Sequence, residues 1–158
     1  MKKISVLSKS NCKDLTKFIK NEDQHFSFFD NIGWNINEIQ NQLNKDLNLT
    51  IGLFYNSDLR AFILGDLILD HQFNTYQPYI LYVSYMYRRN NYASELINYI
   101  EVNKKVFNTN KIYLEVEDNN NIAISFYEKN NFVLLNYRNN YYIYKGIKKH
   151  AKCYHKLF

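Results

Sequence analysis

The chain has 158 residues, of which 46% are hydrophobic and 22% charged, the proportions of one globular domain large enough to bury a core. No apolar run approaches the roughly 18–20 residues of a membrane span. The start, Met1-Lys2-Lys3-Ile4-Ser5-Val6-Leu7, lacks the apolar stretch and cleavage site of a signal peptide, so a cytoplasmic protein without a membrane partner is expected. Two distant cysteines, Cys12 and Cys153, argue against a metal site or a disulfide framework.

Lys3 to Leu7 reads as a first strand. Ser10 or Asn11 can cap the helix that follows, with Leu15, Phe18 and Ile19 on one face. Residues 23 to 35 read as an aromatic loop, with His25-Phe26-Ser27-Phe28-Phe29 and Gly33-Trp34 lying over a substrate site or tucked into the core. Asn35 or Asn37 starts a short second helix through Ile39 and Leu43. Leu47–Tyr55 and Arg60–Leu69 are strands, joined at Asn56-Ser57-Asp58 into a hairpin. Asp70 to Pro78 is a loop and Ile80 to Ser84 the central strand. Ala93, Leu96, Ile97 and Ile100 make a helical stripe between Asn91 and about Phe107. Ile112–Val116 alternates as a strand. Asn119 or Asn120 caps a helix from Ile122 to about Lys129. Phe132–Tyr137 is strand-like, Tyr141-Tyr142 an aromatic turn, and Ala151–Leu157 the last strand. The order β-α-α-β-β-β-α-β-α-β-β describes a mixed α/β domain spanning 1–158.

The chain is organised around Ile80 to Phe132, a βαβα unit suited to a phosphate-bearing cofactor. A helix that begins just after a buried strand offers unpaired N–H groups and the positive end of its dipole. Arg88 and Arg89 stand beside that point. Such a basic pair also occurs on ordinary solvated surfaces. So do the charges behind the net +5, grouped at Lys145, Lys148, Lys149, His150, Lys152, His155 and Lys156, which otherwise suit an acidic partner such as RNA or a phosphorylated cofactor. With four glycines and abundant Asn, a position needing positive φ must be sought at Asn as well as Gly.

Arg88-x-x-Asn91-x-Ala93 resembles the acetyl-CoA signature R/Q-x-x-G-x-G/A of the GCN5-related N-acetyltransferases (GNAT), with Asn in the first glycine position. The resemblance implies that Leu81, Tyr82 and Val83 hold the pantetheine arm. It assigns Arg88, Arg89, Asn90, Asn91, Tyr92, Ala93 and Ser94 to the phosphates. Leu114-Glu115-Val116, Asn120, Ala123-Ile124 and Phe126 to Phe132 are similar to L-E-V-x-x-x-N-x-x-A-I-x-L-Y-x-K-x-G-F of the ribosomal-protein-alanine N-acetyltransferase branch. Arg138-Asn139-Asn140-Tyr141-Tyr142 resembles its R-x-N-Y-Y segment. Asn131 stands where Gly is usual at a helix C-terminus needing αL.

By that resemblance Glu115 is a general base, Tyr127 a general acid, and Asn120 helps to hold the cofactor arm. The chemistry is consistent: an α-amino group with a pKa near 8 must lose a proton before attacking a thioester. The leaving thiolate must gain one, and a backbone N–H of the central strand, at Val83, can stabilise charge on the carbonyl oxygen. The implied fold is a mixed, mostly antiparallel sheet flanked by helices. The implied activity is direct acetyl transfer from acetyl-CoA, as co-substrate and without a metal, to the N-terminal α-amino group of a protein, a ribosomal protein being one candidate. No direct nucleic-acid binding is required, and a monomer or weak dimer is expected. Two alternatives stay open: acetylation of a small amine or lysine side chain, and a non-catalytic module binding acyl-CoA or RNA. Lys149-His150 falls where the alanine-acetylating branch often has an acidic pair, so the acceptor end is expected to be less acidic.

Overall fold

The computed structural model describes the chain except for residues 27, 28, 30, 31 and 145, and gives no side-chain account of 25, 26 and 144. Its elements are β1 (Lys2–Leu7), α1 (Cys12–Phe26), α2 (Ile36–Leu43), β2 (Asn48–Tyr55), β3 (Asp58–Ile68), β4 (Thr75–Val83), α3 (Tyr92–Val102), β5 (Lys111–Glu117), α4 (Asn121–Lys129), β6 (Val133–Tyr144) and β7 (Ile147–Leu157). The seven strands form one sheet in the order β1-β2-β3-β4-β5-β7-β6. Every pairing is antiparallel except β4 with β5.

Alternation along the strands splits the core in two. Ala61, Ile63, Tyr76, Ile112, Leu114, Val116 and Tyr154 face α3 and α4, packing on Leu96, Ile97, Ile100 and Ile124. Phe62, Leu64, Ile80 and Tyr82 face α1 and α2, packing on Leu15, Phe18, Ile19, Ile39 and Leu43. Each such buried aliphatic side chain contributes roughly 1.5–3 kcal/mol relative to exposure. The β2–β3 hairpin closes at Tyr55↔Asp58 on Asn56 and Ser57, both at positive φ, which matches the right-handed twist of the strands. Among the described residues no helix is long and apolar enough to cross a membrane.

Five expectations about boundaries change. Helix α1 runs on to Phe26, so residues 23–26 are not loop; no Gly or Pro breaks the register there. Of the remaining aromatic stretch, Ser27 and Phe28 lie outside the described residues. Strand β4 begins at Thr75, within the expected loop, because Pro78 sits at a bulge where its missing N–H is tolerated. Helix α3 ends at Val102, where Asn103 turns its side-chain amide back onto the Tyr99 carbonyl at 2.8 Å. Tyr141-Tyr142 is not a turn but an irregularity within β6; the connection to β7 contains Gly146 at φ +79°. Strand β7 therefore starts at Ile147, four residues earlier than expected, and Lys149 and His150 lie inside it. Asn35 caps α2 and Asn120 caps α4, each accepting a hydrogen bond from a backbone N–H three residues on.

Candidate active site

The β4–β5 ladder holds at Thr75↔Lys111 and Tyr76↔Ile112. Past that point β4 stays with β3 and β5 stays with β7, so the two strands part. The cause is local. The β3–β4 register slips between Leu64↔Ile80 and Gly65↔Pro78, leaving Tyr79 as an extra residue. Gly65 permits this: an ideal Cβ there falls 2.2 Å from the Gln77 carbonyl oxygen and 2.6 Å from the Pro78 Cα. Parted strands expose the β4 edge that carries Leu81, Tyr82 and Val83. Leu81 and Val83 turn towards α3 and α4, whereas Tyr82 is buried on the opposite face and its backbone pairs with Phe62 of β3.

At the end of β4 the chain makes a 3-10 turn over Tyr85–Tyr87 and enters α3 through Arg88-Arg89-Asn90-Asn91. Arg89 (φ 62°) and Asn91 (φ 64°) are both left-handed. Asn90 braces the turn, its side-chain amide donating to the carbonyls of Tyr87 (3.1 Å) and Arg88 (3.2 Å). Asn91 is the N-cap, yet its left-handed backbone leaves its side chain without a capping hydrogen bond. The first intrahelical bond is Glu95 N–H to the Asn91 carbonyl, 3.0 Å. The N–H groups of Tyr92, Ala93 and Ser94 therefore lie at the positive helix end with no intrahelical acceptor, the arrangement that suits a phosphate. Arg88 and Arg89 are exposed beside them. An uncapped helix end, flanking arginines and a strand edge released by the bulge fit the pyrophosphate and the amide-bearing arm of coenzyme A.

Glu115 lies on the β5 face turned away from α3 and α4, with Tyr113 and Glu117; Leu114 and Val116 on the other face are core. Its side chain is 9% exposed. One oxygen, Oε1, accepts from the Arg138 guanidinium at 2.7 Å and from the Tyr113 hydroxyl at 3.2 Å. The hydrogen bond to Glu115 raises the Arg138 pKa above its ordinary value, and the guanidinium also stacks 4.0 Å above the Tyr141 ring. Burial first, and Glu115 among the lesser causes, hold the hydroxyls of Tyr113, Tyr141 and Tyr142 above their usual pKa. Tyr79, the bulge residue, is pushed up to about 12 by burial and by its hydrogen bond to Asp66, with Glu115 a smaller contributor. Its ring stacks on Trp34, centroids 5.9 Å apart. The aromatic segment thus divides: Phe29 is core, while Trp34 is partly buried against the α1 and α2 side of the core.

Tyr127 approaches from α4. The helix ends in a Schellman motif, with Phe132 N–H to Tyr127 C=O at 3.0 Å and Asn131 N–H to Glu128 C=O at 3.1 Å. Asn131 takes the left-handed position at φ 63°. The motif's apolar contact is Tyr127 on Phe132, rings 5.4 Å apart. Burial pushes the Tyr127 hydroxyl up to about 12, so it keeps its proton at neutral pH. Tyr127 packs with Phe126, Phe132 and Tyr154 on the α3 and α4 side of the sheet. Asn120 caps α4, its side-chain oxygen accepting from Ala123 N–H at 3.2 Å. Among the described residues no cluster of three or more His, Cys, Asp or Glu could hold a metal ion.

Sequence reasoning missed Tyr113, Tyr79 and the Arg138 partnership. The first was open to discovery, since strand alternation puts Tyr113 on the face of Glu115. The others depend on strand irregularities: Tyr79 is the extra residue of the β3–β4 bulge, and Arg138 follows the β6 register shift between Leu134 and Asn136. In β6, pairing passes from Arg138↔Ala151 to Tyr142↔Lys149, and the left-handed Asn140 donates its N–H to His150 Nδ1 at 3.2 Å. Lys149 pairs with Glu117 at 2.8 Å. Lys149 thus neutralises one carboxylate and His150 braces the bulge.

A model of the acetyltransferase (GNAT) family matches residues 14–132. A search of curated proteins finds no match. Among solved structures, the ribosomal-protein-S18-alanine N-acetyltransferase of Escherichia coli superposes with a TM-score of 0.78 at 21% identity, covering 98% of this chain and 92% of that one. Arabidopsis thaliana NAA60 in complex with acetyl-CoA gives 0.80 at 17% identity, covering 100% and 99%. An N-acetyltransferase of Staphylococcus aureus Mu50 gives 0.80 at 17% identity, covering 99% and 97%. At these identities the likeness is one of fold.

Proposed function

Because the chain belongs to the GNAT family of acetyl-CoA-dependent acetyltransferases, we propose that it acetylates the N-terminal α-amino group of a protein, acting in the cytoplasm as one domain over 1–158. The observation that supports this reading is that β4 and β5 part after Tyr76↔Ile112, with Glu115 on β5 beyond that point. Glu115 lies on the face away from α3 and α4, where an acceptor can approach, and Tyr127 stands on α4.

The thioester supplies an activated acetyl carbonyl; the protein's part is binding and proton handling. The turn Arg88–Ser94 holds the pyrophosphate, and the backbone of Leu81–Val83 holds the arm. Glu115 removes the proton of the acceptor ammonium, directly or through one water. The Val83 N–H stabilises charge on the carbonyl oxygen. The Tyr127 hydroxyl, with its pKa held near 12, carries the proton that the departing thiolate takes up. An α-amine is the acceptor that Glu115 can serve most simply, since its ordinary pKa lies near neutrality. The name of the Escherichia coli relative points the same way.

The Tyr113 ring, whose hydroxyl donates to Glu115, would also suit a small organic cation. Acetylation assays with peptides beginning in Ala or Ser, against polyamines and aminoglycosides, separate the two readings. Peptide acetylation that falls about 10²–10⁴-fold in Glu115→Gln is expected. Turnover of small amines alone would overturn the protein acceptor, and undiminished turnover in Glu115→Gln would remove Glu115 from its role.

A further inference from the structure

Glu22 is a buried carboxylate, 7% exposed, that the chemistry above does not use. It lies on α1, on the opposite face of the sheet from α3. Its Oε2 accepts from the Tyr82 hydroxyl (2.8 Å) and the Tyr85 N–H (3.1 Å), and its Oε1 from the Ser84 hydroxyl (2.7 Å). A carboxylate withdrawn from water is retained at low cost only where such donors replace its hydration. All three donors belong to the end of β4 and the first residue of the 3-10 turn. The Tyr85 N–H stands at the start of the turn, so Glu22 caps the turn from another element.

The same tyrosines carry Arg88. Its guanidinium lies 5.6 Å from the Tyr82 ring centre and 5.1 Å from that of Tyr85, and its Nε donates to the Val83 carbonyl at 3.4 Å. Phe18 and Phe29 close on the Tyr82 ring at 5.9 and 4.9 Å. Immediately downstream come Arg89 and Asn91, both left-handed, a conformation that costs an L-residue roughly 1–2 kcal/mol and persists only where neighbouring structure imposes it. Glu22 anchors the upstream end of this segment and the first turn of α3 fixes its downstream end.

We propose that Glu22 is a positioning residue for acetyl-CoA: by tying Tyr82, Ser84 and Tyr85 to α1 it sets the strand end and turn from which Arg88–Ser94 meet the phosphates. The proposal rests on the reading of that turn as the pyrophosphate site. Glu22→Ala removes all three acceptor contacts. Glu22→Gln keeps them, because its amide oxygen can accept from Tyr82 and Tyr85 while its NH2 donates to the Ser84 hydroxyl, which can itself accept.

The experiment measures CoA binding by calorimetry, and steady-state KM for acetyl-CoA and for acceptor peptide, in parent, Glu22→Ala and Glu22→Gln. The expected result is a rise of about tenfold or more in CoA Kd and acetyl-CoA KM for Glu22→Ala. Acceptor KM, and kcat at saturating acetyl-CoA, change by less than about twofold, and Glu22→Gln restores near-parent binding. A merely structural role would lower the melting temperature without this KM split. If Glu22→Ala does not fold, Ser84→Ala, which removes one donor, is read for a smaller shift in the same sense. Unchanged CoA binding in the folded variant, or a Glu22→Gln as defective as Glu22→Ala, overturns the proposal. Arg88→Ala is measured alongside. If it weakens CoA binding and Glu22→Ala does not, the positioning role alone fails; if neither does, the phosphate site itself is wrong.

Discussion

Gly65→Ala tests whether the β4 bulge makes the opening between β4 and β5. The added Cβ would sit 2.2 Å from the Gln77 carbonyl oxygen and 2.6 Å from the Pro78 Cα, both backbone atoms. Ordinary contact begins near 3.4 Å, so the two strands must separate by roughly 1 Å at the place where the register slips. Overpacking of this kind costs about 1–3 kcal/mol, and in a chain of this size each kcal/mol lowers the melting temperature by about 2–4 °C. The expected loss is therefore about 2–12 °C in a thermal melt, with weaker CoA binding because β4 is displaced. Gly52→Ala is the control. Its Cβ would meet Leu7 and Leu59 methyl groups at 2.9–3.0 Å, and those side chains can rotate away. It should cost less in stability and leave CoA affinity unchanged. The reasoning is refuted if Gly65→Ala melts and binds CoA like the parent, or if Gly52→Ala is the more damaging change.

Tyr127→Phe should lower kcat by about 10²–10⁴-fold with little change in either KM or in the melting temperature. Because the Tyr127 pKa is raised to about 12, the acid form persists through neutral pH and beyond, and the parent's kcat should show no alkaline loss from this group below about pH 10; a limb at pH 8–9 that vanishes in Tyr127→Phe would contradict this. Phe132→Ala should destabilise by about 3–5 kcal/mol in denaturant titration and also lower kcat, since the ring is 4% exposed and is the Schellman contact that seats Tyr127. A β-branched residue at either left-handed Asn should cost about 1–2 kcal/mol. Asn91→Val should in addition weaken CoA binding by calorimetry, whereas Asn131→Val should leave it alone, and Gly should be accepted at both positions.

The element order was legible throughout because each element carries its own signal. Ala93, Leu96, Ile97 and Ile100 recur at helical spacing, Ile112–Val116 alternate, and Asn35 and Asn120 stand at helix starts where a short polar side chain captures an orphan N–H. The left-handed backbone at Asn91 and Asn131 was equally legible, since the requirement is local and Asn is the residue after Gly that meets it. Boundaries failed where a distant contact overrides local preference. Thr75–Pro78 looks like loop, but β3 pairs with it and Gly65 lets the strands touch. Tyr141-Tyr142 looks like a turn, but β7 and the His150 ring hold it in the sheet.

Of the site itself, the sequence determined which residue types stand at which spacing, and strand alternation alone set Glu115 apart from Leu114 and Val116. Only the tertiary structure decided what surrounds that carboxylate. Arg138, 23 residues away, arrives through an irregularity in strand pairing that has no local period. Glu22 meets its donors 60 to 63 residues away, where α1 packs on the end of β4. Hydrogen bonds and ion pairs at such separations follow from register and packing, which local sequence patterns do not encode.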